Sequence, residues 1–116
     1  MNRDLREYFK AVLQARRDAL QQNLARSDQD TRTAESALSE VIDQSAARYS
    51  REMLLSQSAR ERALLRMVEE ALSRLRDATF GVCVGCGSEI SIQRLRAVPW
   101  TGYCIDCQST IEAQNR

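Results

Sequence analysis

A chain of 116 residues with only six aromatic side chains is one small domain without material for a thick globular core. Its formal charge of +1 is evenly mixed: residues 1–80 carry 14 Arg/Lys and 13 Asp/Glu, and residues 81–116 carry three of each. That balance excludes a basic phosphate-tracking face and an acidic tail, and leaves densely charged, solvated helix surfaces.

The chain opens on MNRDLREYFK, which has no apolar run of the kind a secretory leader needs, and no later stretch is long and apolar enough to span a bilayer. A cytoplasmic protein without membrane contact is expected, in a compartment where paired cysteines hold metal more often than they form disulfides. Residues 1–79 contain no Gly, Pro or Cys and are rich in Ala, Leu, Arg, Glu and Gln, a composition for helix. Leu5, Phe9 and Val12 begin an apolar stripe that continues loosely through Ala19 and Leu20 and fades between Arg26 and Ser36. In the second half Leu64, Val68, Ala71, Leu75 and Ala78 recur at spacings of 4, 3, 4 and 3, the seam of a coiled coil.

A single helix of that length leaves both seams open to water, whereas an antiparallel hairpin closes them within one chain. Two segments offer a turn, SDQDT (27–31) and SEVIDQS (39–45). The second gives arms of about 35 residues, each roughly 50 Å long, that pair along their whole length, with Asp43 or Ser45 as the cap of the second helix. The expected fold is therefore mostly α: a helical hairpin over 1–79 with its tip near 39–45, then a cysteine-rich unit over 80–116.

That unit, FGVCVGCGSEISIQRLRAVPWTGYCIDCQ (80–108), holds all four cysteines, all four glycines and the one proline. Cys83 and Cys86 form one C-x-x-C pair and Cys104 and Cys107 the other, with 17 residues between them, a spacing for a tetrahedral four-thiolate zinc site. Four sulfur ligands leave no open position, so the ion is structural. An iron–sulfur cluster on the same ligands is the competing occupant; two disulfides require an oxidising compartment, and a thioredoxin-like pair requires a βαβ unit. Between the pairs SEISIQRL reads as a short strand or turn, with Ile90, Ile92, Leu95 and Trp100 as a small local core and Arg94 and Arg96 as a solvated edge. From Ile105 the pattern reads as a closing helix with Cys107 and Ile111 inward.

The run FG-x-C-x-x-CG-x-x-I-x-x-x-RL-x-A-x-P followed by C-x-x-CQ resembles the DksA/TraR zinc-finger family, and the likeness extends more weakly through RERALLRMVEEAL (60–72). The resemblance implies a regulator that binds bacterial RNA polymerase directly, without DNA contacts of its own. The zinc-bearing part docks at the rim of the secondary channel and the hairpin tip lies near the active centre. Promoter open complexes change stability as a result, so that some promoters are repressed and others activated. Carried over residue by residue, the acidic tip falls on Glu40, Asp43 and Ser45. Asp43 keeps its acid, Glu40 keeps charge on a longer side chain, and Ser45 stands where the family has alanine. Arg60 falls where the family places a basic residue facing the polymerase. The family's polar and basic contacts to the alarmone ppGpp fall on Met67, Val98 and Gln108; none is a cation, which implies weak dependence on ppGpp or none.

Two other classes compete. A zinc-ribbon nucleic-acid binder needs a basic stripe or an aromatic platform that the composition lacks. A coiled-coil adaptor would dimerise through its seams, whereas the hairpin is expected to be a monomer. An enzyme is not expected, because there is no histidine, no open metal position and no nucleophile beside a base.

Overall fold

The computed structural model of the protein describes the backbone of residues 1–38 and 44–115 and the side chains of residues 1–29 and 48–115. Glu40 and Asp43 lie outside the described residues, and of Ser45 only the backbone is described. The fold is mostly helical. Four helices are described: α1 (Arg3–Leu38), α2 (Gln44–Arg76), α3 (Ile92–Ala97) and α4 (Ile105–Gln114). One antiparallel bridge, Val82 to Glu89, is the extent of β pairing among the described residues.

The start of α1 and the end of α2 fall where the local chemistry says they should. The Asn2 side chain accepts the Leu5 N–H at 2.8 Å, and Asp4 adds negative charge to the first turn of α1. At its far end α2 carries Arg74 and Arg76 in the last turn. There the Thr79 N–H reaches back to the Arg74 carbonyl at 2.9 Å across Ala78, which has φ +60°. This is the six-to-one closure of a helix C-terminus, with alanine in the left-handed position that glycine usually takes. Ala78 is therefore an exposed capping residue and not the last member of the seam.

The described chain forms two compact units. In the unit Arg17–Arg66, α1 and α2 run antiparallel. The Ser27 and Ser58 hydroxyls meet at 2.7 Å, and Arg62 Nη2 donates to Asp28 Oδ1 at 2.9 Å. Leu20 and Leu24 are buried on α1 where the seam is apolar. The stripe turns polar beyond them, since Ser58 is also buried and the buried Glu61 Oε2 has no hydrogen-bond partner among the described residues. Ala19, read from the sequence as part of the stripe, is exposed.

The other unit joins Met1–Arg16 with Met67–Arg116. Its core is Phe9, Leu13, Val68, Ala71, Leu72, Phe80, Ile90 and Leu95. The rings of Phe9 and Phe80 lie 5.4 Å apart, so the first helix touches the start of the cysteine-rich segment directly. Leu13 is fully buried where the sequence pattern favours Val12, which is half-buried. SEISIQRL, read as a strand or turn, is instead a bridge followed by α3. The Ser91 Oγ accepts the Arg94 N–H at 3.2 Å and starts the helix, and Leu95 turns inward one turn later.

Candidate metal centre and adjoining groove

The two cysteine pairs reach the same point by different local structures. Cys83-Val-Gly-Cys86-Gly is a tight turn held by the Cys83 N–H on the Ser88 carbonyl at 2.8 Å and the Gly87 N–H on the Cys83 carbonyl at 3.0 Å. Gly87 has φ +76°, which an L side chain rarely adopts. Gly85 meets a different restriction: a Cβ there would sit 3.1 Å from Cys107 Sγ and 3.4 Å from Cys107 Cβ. The second pair opens α4. Cys104 is its N-cap, with the Cys107 N–H directed at the Cys104 sulfur at 3.5 Å. Thiolates are favoured at such an end because the helix presents unsatisfied N–H groups there.

All four sulfurs lie within 4.8 Å of one another, and Cys86 Sγ to Cys104 Sγ is 3.8 Å. A tetrahedron with metal–sulfur bonds of about 2.3 Å has edges of about 3.8 Å, so the donor set fits zinc. Left to protons alone, Cys83, Cys86 and Cys107 are unequal. The Cys104 N–H, 3.3 Å from the Cys83 sulfur, leads the hydrogen bonds that hold the Cys83 thiol down to about 6. The Ser88 hydroxyl and amide hold Cys86 below the ordinary thiol range. Cys107 is pushed up to about 12, first by its hydrogen bond to Cys83 and then by those to Cys104 and Cys86. A divalent cation displaces the proton held on Cys107 and stabilises all four thiolates together.

Behind the metal ligands the loop between the pairs is braced by two arginines. Arg94 Nε donates to the Tyr103 carbonyl at 2.8 Å and its Nη2 to Thr101 Oγ1 at 3.3 Å. Arg74 Nη2 reaches the carbonyls of Trp100 and Thr101 at 3.4 and 3.3 Å. Burial pulls Arg74 below the ordinary guanidinium range, with Glu70 opposing the shift. Arg94, read from the sequence as a solvated edge with Arg96, is thus a structural brace, while Arg96 is exposed. Trp100 is half-buried and takes Arg16 over its ring at 5.6 Å.

Beside this brace lies a groove of about 810 Å³ that brings together Met67, Val98 and Gln108, three residues far apart in sequence. Arg60 is exposed on α2 and has no ion pair among the described residues.

Residues 78–113 match the family described as prokaryotic dksA/traR C4-type zinc finger. Over the whole chain the protein is 31% identical to the RNA polymerase-binding transcription factor DksA of Salmonella typhimurium, of which it spans 77%. The identity is 30%, with the same coverage, to the protein of that name in Escherichia coli K12. The chain belongs to the DksA/TraR family. Transcription factor DksA2 from Pseudomonas aeruginosa has the same fold, with a TM-score of 0.89 and 28% identity over 100% of this chain and 89% of that one. In this DksA/TraR protein Cys83, Cys86, Cys104 and Cys107 are accordingly the ligands of one structural zinc ion.

Proposed function

We propose that the protein is a cytoplasmic, monomeric transcription regulator that binds bacterial RNA polymerase directly and makes no sequence-specific DNA contact. The observation that carries this reading is similarity over the full chain to factors named for polymerase binding, together with the four-cysteine centre. The hairpin over 1–79 enters the secondary channel, and the finger over 80–116 sets its angle at the rim. Glu40, Asp43 and Ser45 come close to the polymerase active centre, where Asp43 is the acid that acts. Arg60, exposed on α2, faces the polymerase. The outcome is an altered stability of promoter open complexes.

Dependence on ppGpp is weak or absent. The groove that gathers Met67, Val98 and Gln108 carries no cation at those three positions, so charge-assisted bonds to phosphates are missing there.

The test is transcription in vitro from a ribosomal RNA promoter with purified polymerase, comparing zinc-loaded wild type with Asp43→Asn. Inhibition by the wild type that disappears in the variant, and that ppGpp leaves unchanged, is the expected result. Equal inhibition by both proteins moves the activity away from Asp43. No inhibition, with a dimer by light scattering, replaces the reading with a coiled-coil adaptor.

A further inference from the structure

The apolar seam of α2 is interrupted within the unit Arg17–Arg66. Leu54, Ser58, Glu61, Leu65, Val68 and Leu72 follow one another at spacings of 4, 3, 4, 3 and 4, the repeat of a pairing face, and Ser58, Val68 and Leu72 are buried. Two adjacent members of that series are polar. Ser58 is 2% exposed, and its hydroxyl meets that of Ser27 at 2.7 Å. Glu61 is half-buried, and its Oε2 is enclosed without a hydrogen-bond partner among the described residues. An enclosed acidic oxygen without a donor weakens a fold. Leucine at the same place would add apolar surface to a seam that already buries Leu20 and Leu24. Stability alone does not account for this layer. In the observed pairing the polar groups of both helices share one level: Ser27 meets Ser58, and Arg62 beside them meets Asp28 at 2.9 Å. A slip of one heptad sets Ser58 against Leu20 or Ser27 against Leu65, with a hydroxyl facing an apolar side chain. Pairing of α2 with α2 of a second copy fares no better. In an antiparallel pair, Leu54 opposite Leu72 sets Glu61 against Leu65 and Ser58 against Val68, and Leu54 opposite Val68 sets Glu61 against Glu61. In a parallel, in-register pair acid again faces acid.

We infer that Ser27, Ser58 and Glu61 form an alignment layer that holds α1 and α2 of one chain in this register and keeps the α2 seam from pairing with a second copy. A polar group at a seam position sets register and oligomeric state even though it lowers stability. The inference rests on the proposed monomer and supplies the residues that maintain it.

The experiment compares the zinc-loaded full chain of the wild type, Glu61→Gln, Glu61→Leu and the triple variant Ser27→Leu, Ser58→Leu, Glu61→Leu. Light scattering over a range of concentrations, thermal melting and amide NMR are the readouts. The wild type and Glu61→Gln are expected to be monomers with one set of resonances. Both leucine variants are expected to melt at least about 4 °C higher than the wild type. The triple variant is expected to shift to a dimer with rising concentration, or to show a second set of resonances from a slipped hairpin. A monomeric triple variant with a single set of resonances overturns the inference and leaves the monomer reading intact. A lower melting temperature in Glu61→Leu also overturns it, because the acid would then stabilise the seam, and this arm decides the matter where the triple variant does not fold. Dimers of Glu61→Gln as abundant as those of the triple variant overturn it too, since charge alone would then keep copies apart. A wild-type dimer removes the monomer reading itself and the inference with it.

Discussion

Replacing Gly85 with alanine tests the metal centre without touching a ligand. The glycine lies between Cys83 and Cys86, outside the left-handed region, so alanine meets no backbone penalty there. Its methyl group would sit 3.1 Å from Cys107 Sγ, tighter than ordinary carbon–sulfur contact by several tenths of an ångström. Cys107 cannot yield freely, because its sulfur belongs to a cluster confined within 4.8 Å and its amide is committed to Cys104 Sγ. The strain therefore falls on the metal–sulfur geometry, whose bonds tolerate departures of only about 0.2 Å. Perturbations of this kind around a ligand cost about 10–100-fold in metal affinity, or about 1.4–2.7 kcal/mol. Competition with a chromophoric chelator at fixed pH measures the loss. Gly87→Ala is the contrast: nothing lies within 4 Å of its added methyl, but φ +76° imposes a backbone cost of about 1–2 kcal/mol, which Gly87→Asn should largely recover. Wild-type zinc affinity in Gly85→Ala would refute the steric argument, and an equal defect in Gly87→Asn and Gly87→Ala would refute the conformational one.

Two further outcomes follow from the same centre. Arg94→Met should lower stability by about 2–3 kcal/mol in urea unfolding, because the Tyr103 carbonyl and Thr101 Oγ1 lose a charged donor, while Arg96→Met, at an exposed position, should change it by less than about 0.5 kcal/mol. Zinc affinity should fall as pH is lowered. Cys107, pushed up to about 12 by its hydrogen bonds to the other sulfurs, keeps its proton at neutral pH until the metal displaces it, so loading releases protons and acid opposes it. Calorimetric titration in buffers of different ionisation enthalpy counts the protons, and a zinc affinity independent of pH would contradict the arrangement.

The features legible in the sequence were those carried by spacing. The C-x-x-C pairs name their own ligands, and a stretch of 79 residues without Gly or Pro leaves helix as its one regular choice. Val68 and Ala71 followed from the seam because nothing competes with the period there. The period failed where another constraint entered. Ala78 matches the seam by count but is turned out by the closure of α2, and Leu13 displaces Val12 because it lies one turn after Phe9 on the same face of α1, the face whose Phe9 ring meets Phe80. Ser91 was the signal for α3 inside an apparently alternating segment: a cap residue followed three positions later by its donor. The arginine braces had no local signal. The partners of Arg94 stand seven and nine residues away and those of Arg74 26 and 27, and each accepts through backbone or a hydroxyl that composition does not reveal.

The core that contains Phe80, Ile90 and Leu95 also contains Phe9, Leu13, Val68 and Ala71, so the metal-bearing segment and the terminal turns of both long helices stabilise each other. Neither part is well supplied alone. The segment between Phe80 and Trp100 contributes few large apolar side chains, and a small unit of that kind needs an added staple. The helix ends, for their part, would expose Phe9 and Val68. Zinc closes the loop between Cys83 and Cys107 and fixes the chain on both sides of α3, which holds Leu95 against the helices. Arg94 reinforces the same connection from the other side, tying α3 to the strand of chain that leads into Cys104. Binding free energy of the metal is thus spent on the packing of α1 and α2 as well as on the finger. A metal with no catalytic position is thus the element that ties the finger to the ends of both long helices within this unit.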